Sequence, residues 1–427
     1  MSQRIGFIVL AVGLFLLAGY GWFGSPATIP LQQARAQDRA EPRIALPGAR
    51  PVIEAIHFPS LQAAIDALPA QGGVVRLPPG TFEITRPLII SHSDVLLTGA
   101  GTATHIKNVN TAGEPALVIE HPDGEKVKAD EKLWRVMLSN FRITGNPKSG
   151  DGIEAVLVNE IFIQGVTVSY HGGDGIKLDR CYEDPRVNDC LITYNKQTGL
   201  SVPGCHDIVV CGNQFEENMD AVHCFDAFNL CFTGNCIDDH LGDGVVIENT
   251  YGSVLAGNMI EECEGRGIVL ARDCYGITLS ANVIAHNGGG IDLMDAHGCS
   301  VSANTFVLLK PPPMKDGVAQ PQLDTRCLKL GRDSSRIAVS GNSFCDSYIG
   351  EGAVKRKVND QLAGGIVLDG TRDVNISGNT FSSVPKAIEV GELPNSSILF
   401  GNNLLTDAPS EHEQLPKTGV NNNLTSP

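Results

Sequence analysis

A repeat of mostly 22 to 24 residues runs through this 427-residue chain and constrains its fold more than any other feature. One column of the repeat is an asparagine that follows glycine or alanine: Asn146, Asn213, Asn235, Asn258, Asn282, Asn304, Asn342, Asn379 and Asn402. A second column is a small residue: Gly152, Gly175, Gly199, Ala221, Gly244, Gly267, Gly290, Cys327, Gly365 and Ala387. In most repeats the first and third positions after the small residue are apolar, which predicts a short strand with one buried face.

Short strands repeated many times predict an all-β fold, a parallel β-solenoid of about eleven coils. Stacked asparagine amides can hydrogen-bond along the solenoid axis, and asparagine also tolerates the left-handed backbone of tight turns. Residues 59–68 form an amphipathic pattern that predicts a short N-terminal helix, which would cap the exposed end of the core.

The first residues resemble a targeting signal. Arg4 precedes an apolar stretch, and Ala34-Arg35-Ala36 fits a small-x-small cleavage site, so residues 1–36 are predicted to be a signal peptide or an N-terminal membrane anchor. We expect a linker over residues 37–54, the β-helix over 55–405 and a tail over 406–427. Either form of the leader predicts a secreted, periplasmic or cell-surface protein that contacts a membrane only through an uncleaved N-terminal segment.

The composition restricts the classes of molecule that the chain is expected to bind. The chain has 32 Lys and Arg against 48 Asp and Glu, a net charge of −16, which argues against a nucleic-acid partner because phosphate binding needs a basic surface. An acidic polysaccharide stays open, since a local basic patch or a bound cation can hold it. All twelve cysteines lie between Cys181 and Cys345; some could pair as disulfides, or most could be small buried hydrophobes. The oligomeric state stays open.

The opening of the repeat region carries a family resemblance. The helix, the segment GGVVRLPPGTFEI that begins at Gly72, and the later DGI, GGI and GN repeats resemble the pectin-lyase-like superfamily. The opening is especially similar to its pectate-lyase-3 or rhamnogalacturonase/epimerase-like group. The resemblance covers about residues 55 to 405 and implies a single-stranded right-handed parallel β-helix that acts on or binds carbohydrate. Superfamily members include lyases, hydrolases, epimerases, esterases and non-catalytic proteins, so it does not fix the reaction.

Chemistry-bearing side chains gather on one predicted face. The positions just before the small residue and two after it should point outward and stack from coil to coil. The densest polar patch there is His171, Asp174, Lys177, Asp220, His223, His240, Asp243, Glu248 and Arg266. Two insertions of about 15 residues, one beginning at Lys310 and one over Tyr348–Leu362, precede strands of this face and could wall a groove.

Three activities compete for the patch. The favoured one is a lyase or C5-epimerase of a uronate-containing polysaccharide, with His223 or Lys177 as the base, Arg266 neutralising the substrate carboxylate, and Asp220 with Asp243 as a calcium site. Further substrate contacts are expected from Asp174, His171, His240, Asp292 and Lys329. The alternatives are a glycoside hydrolase that uses paired aspartates and a non-catalytic glycan-binding or surface-structural solenoid. The aspartates before glycine also have a purely structural interpretation, because Asp-Gly is a common turn pair.

Overall fold

A computed structural model describes residues 46–307, 314–315, 318–319, 326–345, 364–415 and 423–426. The chain divides into two compact units, residues 1–49 and 50–427. In the first unit only residues 46–49 are described, and there the Ala49 N–H donates to the Leu46 carbonyl. The predicted leader and nearly all of both insertions lie outside the described residues. Within the described ranges, no helix is long and apolar enough to cross a membrane.

In its described residues the second unit is built mainly from three parallel sheets. Sheet 1 precedes the asparagine column and has these described strands: Val52–Glu54, Gly73–Arg76, Val95–Thr98, Leu133–Ser139, Val158–Gln164, Arg186–Asn188, Val209–Cys211, Cys231–Thr233, Val254–Ala256, Cys274–Tyr275, Thr278–Ser280, Ala296–His297, Ser300–Ser302, Ser335–Ser340, Arg372–Ser377 and Ser396–Gly401.

Sheets 2 and 3 complete each coil. Sheet 2 follows the asparagine column: Gly80–Ile84, Thr104–Asn108, Arg142–Thr144, Thr167–Ser169, Leu191–Thr193, Gln214–Glu216, Cys236–Asp238, Met259–Glu261, Val283–Ala285, Thr305–Val307, Ser343–Cys345, Thr380–Ser382, Leu404–Thr406 and Leu424–Ser426. Sheet 3 follows the small-residue column: Leu88–Ile90, Leu117–Ile119, Ile153–Val156, Ile176–Asp179, Leu200–Pro203, Val222–Phe225, Val245–Glu248, Arg266–Ala271, Gly289–Leu293, Arg326–Leu330, Gly364–Leu368 and Ile388–Val390.

Few other elements are present in the described part of the chain. They are an α-helix at Leu61–Asp66, an antiparallel hairpin of Met314–Lys315 with Val318–Ala319, and the 3-10 turns Ala55–His57, Gly101–Ala103, Gly124–Lys126 and His412–Gln414. The predicted all-β solenoid is therefore confirmed.

The coil number differs from the prediction. Sheet 1 makes about fourteen successive turns rather than about eleven. The first turns were not counted because their coils, from Val52–Glu54 onward, lack the asparagine column, and the small residue Ala116 before Leu117 was not recognised as a member of the other column. The solenoid strands also extend beyond residues 55–405, since Val52–Glu54 pairs with the next coil and Leu424–Ser426 pairs with Leu404–Thr406.

The asparagine column is a buried ladder of amides. Asn258 shows the pattern: its Oδ1 accepts from the backbone N–H and the side-chain amide of Asn235, at 2.9 and 3.1 Å, and its Nδ2 donates to Oδ1 of Asn282 at 2.9 Å. The same bonds link the buried members Asn213, Asn235, Asn258, Asn282, Asn304, Asn342, Asn379 and Asn403, and the last of them bonds Asn423. Each amide satisfies backbone groups that water cannot reach, so the ladder fixes the register of the coils.

Two predicted members of this column are wrong. Asn146 is not a member, because Phe141 occupies the matching position beside Val166. At the other end the ladder uses Asn403 rather than Asn402, which takes a left-handed backbone with φ of +57°. In the other coils the left-handed residue is the glycine or alanine before the asparagine, as in Gly257 with φ of +67°. The turn and the amide ladder therefore use adjacent residues.

The short helix closes the first edge of sheet 3. Ser60 caps its N-terminus by accepting from the Ala63 N–H at 3.1 Å, and Leu61 and Ile65 are buried. Gln62 then bonds the first strand: its Oε1 accepts from the Ile89 N–H at 2.8 Å and its Nε2 donates to the Ile89 carbonyl at 3.1 Å. This one side chain occupies backbone groups that another strand would otherwise pair with.

All twelve cysteines are free thiols and eight are buried, so most of them pack as small hydrophobes and none forms a disulfide. A row of aromatic rings follows the corner after sheet 3: Tyr182, His206, Phe228, Tyr251, Tyr275 and His297. Neighbouring ring centroids are 4.6 to 5.8 Å apart along the row. The rings pack against one another, so the row stabilises the stack of coils.

Candidate functional site

The strand register of sheet 3 places one outward residue of each coil beside the next. This outward row is Glu154, Lys177, Ser201, His223, Val246, Val269, Asp292, Lys329, Val367 and Glu389. Adjacent members are about 4.8 Å apart at the backbone. The middle of the row combines the partly exposed His223 and Val246 with Val269 and Asp292, which are buried.

His223 is the histidine of the predicted patch that is accessible to a ligand on this face. Its side chain is 32% exposed, and its Nε2 lies 3.3 Å from Oε2 of Glu248 on the next coil. The guanidinium of Arg272 donates to the same oxygen at 3.0 Å and also lies 3.3 Å from Asp226. A carboxylate that bonds Nε2 holds the imidazole in one orientation and favours the proton on that nitrogen, which directs the lone pair of Nδ1 away from Glu248.

The aspartates before the small residues form a column that bonds the backbone of the following coil. Oδ1 of Asp174 accepts from the Thr198 N–H at 2.9 Å, and Oδ1 of Asp220 accepts from the Asp243 N–H at 2.7 Å. Gly242, the residue before Asp243, makes room for the second of these bonds, because a Cβ at Gly242 would lie 2.3 Å from Oδ1 of Asp220. These aspartates therefore shape turns, as the structural interpretation of Asp-Gly proposes, while still lining the edge of the outward row.

Arg266 is held on both sides by acids. Its guanidinium donates to both oxygens of Asp243, at 3.2 and 2.8 Å, and to Oδ2 of Asp292 at 3.3 Å. Oδ1 of Asp243 also accepts the Arg266 backbone N–H at 2.6 Å. A calcium ion shared by Asp220 and Asp243 would compete with the guanidinium for the Asp243 oxygens, and the calcium site stays a prediction.

Burial raises the pKa values of three acids of the column, Asp151, Asp174 and Asp220. It raises the pKa of Asp174 to about 6, assisted by the nearby charge of Asp151 and opposed by the Thr198 N–H and by Lys177. Burial also raises the pKa values of Asp151 and Asp220 above the usual aspartate range. Asp174 can therefore hold a proton in weakly acidic solution and release it, which is the behaviour required of a general acid.

His171 and His240 lie in the interior, contrary to their expected contact with substrate. Both are fully buried. They belong to a second internal column with Asn195 and Asn218, in which Nδ1 of His240 accepts from the Asn218 N–H at 3.2 Å. Burial lowers the pKa of each imidazole to about 4, so both are neutral at physiological pH. The repeat could not distinguish them from surface residues because they lie at corners, where inward and outward positions no longer alternate.

The other predicted residues lie on the outward row, mostly engaged with neighbours. Nζ of Lys177 lies 2.9 Å from Oε1 of Glu154, and both side chains are about one quarter to one third exposed. Asp292 is 9% exposed beside Arg266, and Lys329 follows it in register. The structure thus brings Lys177, His223 and Arg266 to one face but gives each an acidic partner.

Sequence analysis assigned no role to Glu248 and missed Arg272. Both lie at the carboxyl end of sheet 3 strands, where Glu248 pairs with Phe225 and Ala271. The spacing in the sequence could have identified Glu248, because it lies two residues after Val246 and therefore on the same outward face of the strand. Its pairing with His223 is diagonal, and this contact follows from side-chain length rather than from register.

The family comparison agrees with the observed sheets. The model of the right handed beta helix region matches residues 94–229 and 151–306. This chain is a right-handed parallel β-helix with the pectin-lyase-like fold. Among curated proteins, no sequence matches it.

Solved structures share the fold at low sequence identity. The A-module of the mannuronan C-5 epimerase AlgE6 from Azotobacter vinelandii aligns with a TM-score of 0.58 and 17% identity, covering 84% of this chain and 98% of the module. DFA-IIIase from Arthrobacter chlorophenolicus A6 aligns with a TM-score of 0.57 and 12% identity, covering 77% of this chain and 94% of the DFA-IIIase chain. Tailspike protein 3 of bacteriophage CBA120 aligns with a TM-score of 0.55 and 13% identity. The alignment covers 86% of this chain but only 62% of the tailspike. At these identities the likeness concerns the fold.

Proposed function

We propose that this β-helix is an exported carbohydrate-active protein that removes the C5 proton of a uronate in a polysaccharide, as a lyase or a C5-epimerase. The observation that carries the proposal is the contact between His223 and Glu248 on the accessible face of sheet 3. A histidine oriented by a carboxylate is a suitable general base near neutral pH. The fold neighbour named as a mannuronan C-5 epimerase supports this reaction class.

In this reaction the imidazole of His223 takes the proton from C5, and the electrons of the C5–H bond move toward the neighbouring carboxylate. Lys177 lies two coils away on the outward row, about 10 Å at the backbone, where its long side chain can approach that carboxylate. Val246 lies directly beside His223 and supplies an apolar surface for the sugar ring. No step requires calcium.

The two outcomes differ in where a proton goes next. In a lyase the electron pair forms the C4–C5 double bond, the bond from C4 to the linking oxygen breaks, and an acid protonates that oxygen. Asp174 is our candidate for this acid because burial raises its pKa to about 6. In an epimerase the linkage stays intact and a proton returns to C5 from the opposite face.

The test is product analysis on the full chain with mannuronan, alginate, polygalacturonate and other uronate polymers. Unsaturated uronate ends, measured by ultraviolet absorbance, identify a lyase. Sugar residues with inverted configuration at C5, measured by proton NMR, identify an epimerase. We expect His223→Ala to lower the rate at least a hundredfold, and Glu248→Gln to lower kcat more than it changes KM. His57→Gln replaces an exposed histidine outside sheet 3 and should leave the rate unchanged. Full activity in His223→Ala would contradict the assignment of the base.

A hydrolase is the second candidate, favoured by the raised pKa values of Asp174 and Asp220. Hydrolysis would release reducing ends without ultraviolet absorbance, and it would be lost in Asp174→Asn while surviving in His223→Ala. Glycan binding without any product would instead favour the non-catalytic alternative, which fits the engagement of Lys177 and Arg266 with acids.

A further inference from the structure

Three metal-ligating side chains meet at the corner that follows sheet 3, apart from the proposed catalytic groups. Asp273 belongs to one coil, and Asp295 and His297 belong to the next. One oxygen of each carboxylate and Nε2 of His297 all lie within 4.8 Å of one another. The strands Cys274–Tyr275 and Ala296–His297 pair in parallel here, so the backbone holds the two coils in fixed register.

The imidazole of His297 is positioned from outside this cluster. Its Nδ1 lies 2.8 Å from the hydroxyl of Ser335 on the following coil, and its ring packs 4.9 Å from that of Tyr275. The side chain is only 12% exposed. Histidines that bind metals usually have their second nitrogen hydrogen-bonded in this way, which fixes the ring and directs the first nitrogen at the ion.

The distances between the ligand atoms fit tetrahedral coordination of a small ion. Zinc bonds to nitrogen and oxygen are about 2.0 to 2.2 Å long, so two ligand atoms of a tetrahedral site lie about 3.4 Å apart. Nε2 of His297 lies 3.0 Å from Oδ1 of Asp295 and 3.6 Å from Oδ1 of Asp273. These two distances bracket the tetrahedral value, and rotation of the more exposed Asp273 side chain could equalise them.

The chemistry of the donors selects the class of ion. Imidazole favours zinc and neighbouring transition ions, whereas calcium takes oxygen ligands. We propose that Asp273, Asp295 and His297 form a binding site for a divalent transition ion of the zinc type, with a fourth position for water or an exogenous carboxylate oxygen. Asp273 is 54% exposed, so that position is reachable from solvent. This site is independent of the reaction proposed for His223.

The experiment uses the full chain after treatment with a chelator and its removal. Zinc binding is measured by calorimetry, and cobalt serves as a coloured substitute whose visible bands report coordination geometry. We expect one zinc per chain, four-coordinate cobalt bands, and competition between the two ions. His297→Gln should abolish binding, and Asp273→Asn should weaken it at least tenfold.

Controls separate this site from other groups that attract metals. His121→Gln alters a similar histidine–aspartate pair, with His121 Nδ1 3.8 Å from Asp123, and should bind zinc like the unmodified chain. Asp239→Asn alters the carboxylate cluster of Asp238, Asp239 and Glu262 and should also have no effect. The exposed position of Asp273 makes its variant a test that does not depend on refolding a buried site.

Three results would overturn the proposal. One is the absence of zinc binding, which would leave His297 as an imidazole that only pairs with the two acids. Another is binding that persists unchanged in both His297→Gln and Asp273→Asn. The third is a cobalt spectrum with thiolate charge-transfer bands, which would place the ion at cysteine.

Discussion

Replacing His240 by asparagine should make the protein less sensitive to acid. His240 belongs to the internal column of Asn195 and Asn218, and a new amide at its position can accept the Asn218 N–H as the imidazole does. In the folded protein, burial lowers the pKa of His240 to about 4, against 6.5 for the unperturbed group. The unfolded chain therefore binds a proton that the folded chain does not, and this histidine removes stability as pH falls from about 6.5 toward 4.

The magnitude follows from those two pKa values. Between pH 7 and pH 5 the difference in proton binding costs about 2 kcal/mol of unfolding free energy for one histidine. His171 has the same lowered pKa, so the double variant His171→Asn/His240→Asn should gain about 4 kcal/mol relative to the parent over this interval. Asp174 acts in the opposite direction, because its raised pKa makes the folded state bind protons, but this contribution is common to all three proteins and cancels.

The assay is urea unfolding at pH 7, 6 and 5, followed by far-ultraviolet circular dichroism. The quantity of interest is the change in unfolding free energy with pH for the parent minus that for each variant. His57→Gln serves as the control because His57 is exposed. Parallel pH profiles for the parent and His240→Asn would show that the imidazole is not desolvated in the folded protein and would refute the reasoning.

Gly257→Ala should destabilise the protein by about 1 kcal/mol, because φ is +67° and no other atom obstructs a new Cβ. Ala281→Gly, at φ of +54°, should stabilise the protein by up to about 1 kcal/mol for the same reason. Urea midpoints that move in the same direction for both variants would contradict this. Asn258→Leu leaves the Asn235 amide without its acceptor and should cost about 3 kcal/mol or more in unfolding free energy, whereas a loss below 1 kcal/mol would mean that the ladder contributes little. Gln62→Ala frees the backbone groups of Ile89 and should cause concentration-dependent self-association, measured by light scattering; a monodisperse variant at high concentration would argue that the helix backbone alone protects this edge.

The regular coils could be predicted from sequence because their physical cause repeats. An inward apolar residue at each second position and a buried amide at each turn produce patterns that a single chain displays many times. The three turns of sheet 1 that begin at Val52–Glu54, Gly73–Arg76 and Val95–Thr98 lack the buried asparagine, so their strands were not counted. Asn146 was misassigned because glycine followed by asparagine also occurs in an ordinary turn.

The site was less predictable because ionic pairing depends on side-chain reach. The register of the outward row follows from the repeat, and it places Lys177 and His223 as expected. The repeat gives no information on whether Arg266 faces a substrate or closes onto Asp243. It also cannot show that His171 and His240 are buried, since both lie at the corner after a strand of sheet 2, where inward and outward positions no longer alternate.

The uniform amide ladder has a consequence for how such a chain can change length. Each asparagine presents the same donor and acceptor to the coil before and the coil after, so Asn235 could bond Asn282 as well as it bonds Asn258. Removal or duplication of one whole coil would therefore leave matching surfaces at the junction. The length of the outward row can thus vary in steps of about 4.8 Å while the amide ladder stays continuous.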